Sequence, residues 1–218
     1  MNSDQISNSV SGEAASFVPS ASFKRYDKVK RALDIFFAFL LSVVAAIPCG
    51  VICLLVKATS PGPAIFKQTR IGRFGKPFHC FKFRTMFAEA PQYCATPDLH
   101  DANQFITPLG KILRKTSLDE LPQLFNVLKG DMSFIGPRPL IPEEKGIHEE
   151  RLKRGVYELR PGISGLAQIN GRDRVGAEDK VRYDEEYLHK ISFSFDAKIL
   201  FGTFFGVLRG NDIVEGHE

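Results

Sequence analysis

The longest apolar run in the chain, Ala32 to Val56, reads ALDIFFAFLLSVVAAIPCGVICLLV and carries one charge, Asp34, near its start. Its 25 residues exceed the roughly 20 that a helix needs to cross a bilayer core. Lys24, Arg25, Lys28, Lys30 and Arg31 precede the run and Lys57 closes it, so both ends have basic flanks. Pro48 and Gly50 stand near its middle. A proline removes one backbone donor and crowds the carbonyl four residues back, which predicts a kink near Ile47. A straight span, a re-entrant hairpin with both ends on the cytoplasmic face, and the buried helix of a soluble core all fit this pattern.

Beyond the run, residues 64–86 read as two short strands around Gly72-Arg73-Phe74-Gly75, with Lys67, Arg70, Arg73, Lys76, Lys82 and Arg84 making a basic hairpin. Residues 88–103 are polar and aperiodic, long enough for a lid. Helices are predicted over 109–115 and 117–129. In the second, Leu121, Leu124, Phe125 and Leu128 recur at helical spacing and Gly130 is a stop. The Pro/Gly-rich segment 134–140 leads to a charged helix around 142–154, a loop at 160–171, and helical stretches to the C-terminus. The last of these, 195–208, carries Phe195, Phe201, Phe204 and Phe205 beside few charges and suits either the headgroup plane or a core.

By this pattern the chain divides into a disordered tail (1–23), a basic flank with the apolar helix (24–57), a mixed helix-and-strand domain (58–210) and a flexible C-terminus (211–218). The fold class is α+β and predominantly helical. The 218 residues suffice for one domain with a sizeable core, and 44% hydrophobic composition excludes bulk disorder. A net charge of +4 favours anionic partners without singling out nucleic acid. Aromatics interleave the basic 67–84 segment as in single-strand binders, but the modest charge argues against that class. Cys49, Cys53, Cys80 and Cys94 have neither paired spacing nor a His cluster, which argues against zinc or a disulfide framework and suits a reducing compartment.

The richest chemistry lies in KTSLDELPQLFNVLKGDMSFIGPRP, where Asp119 and Glu120 open an amphipathic helix between basic residues. Ser117 and Glu120 have the spacing of a capping box, and first-turn acids stabilise a helix by roughly 0.3 to 1 kcal/mol, so a purely structural role is available. A helix N-terminus with Arg114, Lys115 and Arg138 nearby in sequence would also bind phosphate and keep a carboxylate ionised. Adjacent acids cannot point the same way on a helix. One then suits a nucleophile and the other a metal or proton partner.

Four segments together resemble the bacterial sugar transferase family, the small monotopic phosphoglycosyl transferases: KRALDIFFAF at the start of the apolar run, FHCFKFRTM at 78–86, LRKTSLDELPQLFNVLKGDMSFIGPRPL at 113–140 and RPGISGLAQINGRD at 160–173. The resemblance implies a re-entrant helix-break-helix hairpin, interfacial amphipathic helices, and an active site on the cytoplasmic face of the bacterial inner membrane. It implies that Asp119 attacks the β-phosphate of a UDP-sugar, releasing UMP, and that a polyprenyl phosphate such as undecaprenyl phosphate takes the phosphosugar from the carboxylate. Glu120 would assist, and Mg²⁺ at Asp119 would screen the diphosphate. Lys82, Arg114 and Arg172 fall at phosphate-contact positions, with Arg138 and Asp184 as further substrate-binding positions. Family members often have Ser-Pro at the helix break, whereas this chain has Ile47-Pro48. A non-catalytic, membrane-attached binder of anionic lipid is the competing class. The sugar and the choice between monomer and homodimer stay open.

Overall fold

The structure, a computed structural model, describes residues 17–87, 89–90, 102–171 and 175–209. Arg172, Cys94, most of the polar 88–103 loop and the 211–218 terminus lie outside them. The described chain is mostly helical with two small sheets.

Helix α1 (Ala21–Thr59) is a single 39-residue element that contains Pro48, where the sequence predicts a helix-break-helix. It is long and apolar enough to cross a membrane. Ser42 donates to the carbonyl of Ala38, so its hydroxyl does not serve Val44, the carbonyl that loses its donor to Pro48.

One stripe of α1 faces the rest of the protein. Phe23, Ala38 and the pair Ile52 and Val56 each belong to a different buried apolar cluster, so α1 is the spine of all three. On its other side Phe36, Phe39, Val43, Val44, Ile47 and Leu54 are exposed. Polar ties hold both ends: Lys30 pairs with Asp196 at 2.5 Å, and Arg84 donates to the carbonyl of Ser60 at 2.7 Å. The predicted tail over 1–23 is shortened by this packing, since Phe17 meets Phe23 edge-on and Phe23 is core.

The basic hairpin forms as predicted. Strands β1 (Ile65–Ile71) and β2 (Pro77–Phe83) pair antiparallel, with Phe66 opposite Lys82 and Arg70 opposite Phe78. Helix α2 (Ala102–Phe105) and helix α3 (Pro108–Lys115) follow; Thr107 caps α3 by accepting from the Gly110 amide at 2.9 Å. Next come α4 (Gln123–Lys129), β3 (Ser133–Ile135), α5 (Lys145–Lys153), β4 (Gly162–Ser164) and α6 (Leu166–Ile169). Helices α7 (Ala177–Lys190) and α8 (Phe193–Arg209) end the described chain.

Strands β3 and β4 pair in parallel, a contact not legible in segments that read as loops. Three residues each are too short for any period-two pattern. On α8, Phe201, Phe204 and Phe205 are exposed, while Phe195 stacks on Tyr187 and Ile199 is fully buried. The helix is therefore amphipathic in space as well as in sequence.

Candidate active site

Pro122 decides the local geometry of the acidic pair. It has no N–H to bond the carbonyl of Leu118, which disfavours a continuous α-helix through it from Ser117. Instead Leu118–Glu120 forms a 3₁₀ turn closed by the Leu121 amide on Leu118, and α4 starts only at Gln123. The predicted helix over 117–129 is thus two elements, and the predicted capping box does not form. Ser117 has left-handed backbone (φ 56°, ψ 17°) and makes no side-chain cap. Asp119 and Glu120 are both 8% exposed, buried in the turn rather than displayed on a solvated first turn. With three residues per turn, neighbouring side chains diverge by about 120°, which keeps the two carboxylates apart in direction.

Cations converge on Glu120. Lys82 Nζ donates to Glu120 Oε1 at 2.8 Å, and Arg138 Nη1 lies 4.0 Å from the same oxygen. The meeting depends on Asn126 of α4, which is fully buried, donates to the carbonyl of His79 and accepts from the amide of Phe81. Those bonds lay α4 along β2, the nearer of them at Phe81, next to Lys82 in sequence. Arg31 of α1 closes the other end of α4 by donating to the carbonyls of Val127 and Leu128, a cation at a helix C-terminus.

Arg138 is set by the β3/β4 pair and a buried ion pair behind it. The Gly162 amide donates to the Pro137 carbonyl, and the Gly136 amide to Ser164. Arg151, 2% exposed, donates from Nε and Nη2 to Asp184 and from Nη1 to the carbonyl of Arg138. Asp184, proposed by resemblance as a substrate contact, is 1% exposed and occupied with Arg151. Burial pushes its carboxyl above the usual carboxylate range, against the pull of Arg151. Its place in the fold is behind Arg138, one residue removed from Glu120's surroundings.

In the sequence Arg70 is one of six cations of the hairpin. It donates to the Pro139 carbonyl at 3.1 Å and to Gln68 at 2.6 Å. Burial first, and Arg138 second, push its guanidinium down to about 10, while Glu144 and Glu120 oppose the shift. It remains charged at neutral pH. The strand register could have found it: Arg70 and Lys82 lie on one face of the hairpin, because Phe66, Gln68 and Arg70 oppose Lys82, Cys80 and Phe78.

Arg114 donates its Nε to Thr85 Oγ1 at 2.9 Å, just beyond the end of β2. Arg172 lies outside the described residues. Cys80 is buried against the same cluster and burial raises its thiol pKa in spite of Lys82 and Arg70, so it is no rival nucleophile.

A cavity of about 490 Å³ opens beside the acidic turn. Leu41, Val44, Ala45 and Pro48 of α1 line one wall, and Gly202, Thr203, Gly206 and Val207 of α8 another. Glu120, Arg138, Lys115 and Ser117 form its charged end, with Gln168 and Ser164 in the remaining wall. Asp119 is one residue removed from the lining. A ligand suited to this space is largely hydrocarbon with an anionic terminus. Among the described residues no group of three or more His, Cys, Asp and Glu side chains could hold a metal ion. Magnesium, which typically binds one or two carboxylates together with substrate phosphates, needs no such group, and the acidic turn fits it on donor chemistry.

The match to known proteins agrees with this architecture. The model of the family described as bacterial sugar transferase matches residues 25–210, and the chain belongs to that family. It is 40% identical over 172 residues to an uncharacterized sugar transferase, EpsL, of Bacillus subtilis, covering 79% of this chain and 83% of that one. It is 40% identical over 188 residues to the UDP-glucose:undecaprenyl-phosphate glucose-1-phosphate transferase of Escherichia coli, covering 81% of this chain and 39% of the relative. An N-acetylgalactosamine phosphotransferase of Aeromonas hydrophila, acting between UDP-N-acetylgalactosamine and undecaprenyl phosphate by its name, is 37% identical over 199 residues, 85% of this chain and 45% of that one. The chain thus spans less than half of the two relatives whose substrates are named, and those relatives differ in sugar.

Proposed function

We propose that the protein transfers a sugar 1-phosphate from a UDP-sugar to a polyprenyl phosphate at a bacterial inner membrane, opening the assembly of a surface glycan. The observation that carries this reading is the acidic turn with Lys82 and Arg138, set at the charged end of an apolar cavity between α1 and α8. A soluble diphosphate and a lipid phosphate can both use such a site, because the cations serve either anion and the apolar walls serve the lipid alone.

In this reading Asp119 attacks the β-phosphorus of the donor. A phosphorus–oxygen bond to the carboxylate forms, the bond to UMP breaks, and UMP leaves with the electron pair. The acceptor phosphate oxygen then attacks the same phosphorus, the bond to Asp119 breaks, and the carboxylate is restored. Repulsion between anions opposes both steps, and Lys82, Arg138 and Arg70 offset it. Lys82 and Arg138 also orient Glu120. Bound Mg²⁺, held by Asp119 and the diphosphate, would supply further charge neutralisation. Covalent catalysis lets the donor and acceptor, which arrive from different phases, bind in turn.

A re-entrant placement of α1 is part of the proposal. Three apolar clusters, with polar ties at Lys30 and Val56, fix the folded body along the length of α1, whereas a straight crossing would carry that body through the hydrocarbon core. The exposed aromatic face of α8 then lies at the interface.

The test is incubation of the purified protein with a panel of UDP-sugars and undecaprenyl phosphate, with UMP release as readout. Release with at least one sugar is expected, and release with none overturns the function. Asp119→Asn should abolish both UMP release and any covalent phosphosugar adduct; full activity in that variant removes Asp119 as nucleophile and favours a lipid-binding role for the site.

A further inference from the structure

Gln168 stands in the cavity wall with neither end of its amide hydrogen-bonded, although it is only 9% exposed. A buried amide without partners costs free energy, and folded proteins rarely keep one without a use. Gly165 is what admits it: a Cβ at that position would stand 2.5 Å from Gln168 Oε1 and 2.2 Å from the Gly136 carbonyl. The amide oxygen therefore lies beside Gly165 and the Gly136 carbonyl, in a cavity wall that also holds Ser164 and Thr203.

Its chemistry selects among ligand groups. The neighbouring Ser164 hydroxyl bonds Thr203, whose own hydrogen goes to the Ile199 carbonyl, so the Ser164 proton is already used. Gln168 offers a donor and an acceptor side by side. An isoprenoid chain can use neither. A phosphate dianion would satisfy the N–H groups but be repelled by the amide oxygen. A sugar hydroxyl or an acetamido group, which donates and accepts at once, satisfies both.

We propose that Gln168 is a sugar-recognising residue, its amide hydrogen-bonding a hydroxyl or acetamido group of the donor hexose while the phosphate is held at the acidic turn. This rests on the transferase reading above. A site that hydrogen-bonds a substrate hydroxyl rejects the analogue lacking it far more strongly than an apolar pocket rejects a methylene.

The experiment compares wild type with Gln168→Met, which keeps the volume and removes both polar atoms. UMP release is measured with the preferred UDP-sugar, its epimers and its single-deoxy analogues. Expected is a loss of at least about tenfold in kcat/KM for the preferred sugar, and a change below about threefold for the one analogue that lacks the contacted group. The KM for undecaprenyl phosphate should stay unchanged. The variant without ligand should melt at or above wild type, because two unpartnered polar atoms have been removed. An equal loss with every donor, a shift confined to the acceptor KM, no kinetic change, or a lowered melting temperature each overturns the proposal. If wild type releases UMP from no donor, the transferase reading has failed. Comparison of UDP-sugar with UDP binding then settles the contact separately: the sugar's contribution to affinity is lost in the variant or Gln168 is not its ligand.

Discussion

Lys82 and Glu120, 38 residues apart in the chain, meet at 2.8 Å where β2 crosses the acidic turn. Neither is well solvated, with side chains 25% and 10% exposed. Removing the cation alone leaves a buried carboxylate facing Arg138 at 4.0 Å. Lys82→Met is expected to destabilise the fold by about 1 to 3 kcal/mol and to cut kcat/KM by about two orders of magnitude. Lys82→Met combined with Glu120→Gln should recover most of the stability and none of the activity. Denaturant unfolding and UMP release on the same samples separate the two effects; recovery of activity in the double variant would falsify a role for Lys82 at the phosphate.

Arg151 and Asp184 make a buried pair that also donates to the carbonyl of Arg138. Asp184→Asn should cost about 3 to 5 kcal/mol, because Arg151 is left buried without its carboxylate. Replacing both by apolar residues, Arg151→Met with Asp184→Leu, should be close to neutral in stability. The donor KM should rise in this double variant all the same, since Arg151 then no longer donates to the Arg138 carbonyl. An unchanged KM would make the pair purely structural.

Arg70 exchanges stability for charge. Its folded-state pKa, pushed down to about 10, is below its ordinary value of 12.5, so the fold disfavours its charged form. The sign follows: this group's stabilising contribution exists above the ordinary value, declines as pH falls towards 10, and is absent at neutral pH. Arg70→Leu is therefore expected to be at least as stable as wild type between pH 6 and 9, with a gain on the order of 3 kcal/mol less what the lost bonds to Pro139 and Gln68 contribute. The same variant should bind UDP-sugar at least about tenfold more weakly. Thermal melts across that pH range and donor titrations provide the measurement. A marked fall in melting temperature would show that the bonds outweigh the buried charge.

Gly136 permits the close approach of β3 and β4. A Cβ there would stand 2.2 Å from the Arg160 carbonyl, a backbone atom that cannot swing away. Gly136→Ala is expected to cost about 1 to 3 kcal/mol through overpacking and to move Arg138, which follows two residues later. Loss of activity beyond the fraction unfolded, read by UMP release at a temperature well below the melt, is the expected outcome.

The topology of α1 can be read by labelling. With Cys49, Cys53, Cys80 and Cys94 all replaced by Ala, single cysteines at Lys24 and Thr59 should both react with a membrane-impermeant maleimide from the cytoplasmic side of inverted vesicles. Reaction of only one of them would mean a straight span.

Much of this protein was legible before any coordinates. The apolar run declares α1, since 25 residues with one charge have few other fates. Turn residues 72–75 between two short alternating stretches declare the hairpin, and the motif around Asp119 declares the family. What failed did so for local reasons. The capping box at Ser117 was a spacing argument, and it does not form because Ser117 takes left-handed backbone in place of the extended backbone a capping residue needs. The β3/β4 pair was unreadable because three-residue strands have no period, and the glycines that let them meet look the same as loop glycines.

The sequence by itself determined which residues could carry chemistry: an acid pair, a surplus of cations, and an apolar helix to bring them to a bilayer. Only the tertiary structure decided which of them meet. Periodicity and spacing report contacts within one element, whereas the site is assembled from β2, the acidic turn and the segment after β3, whose mutual placement depends on Asn126, Arg151 and glycine contacts distant in sequence. For that reason Lys82 and Arg138 arrive at Glu120, Asp184 recedes behind Arg138, and Arg70 and Gln168 emerge as parts of the site.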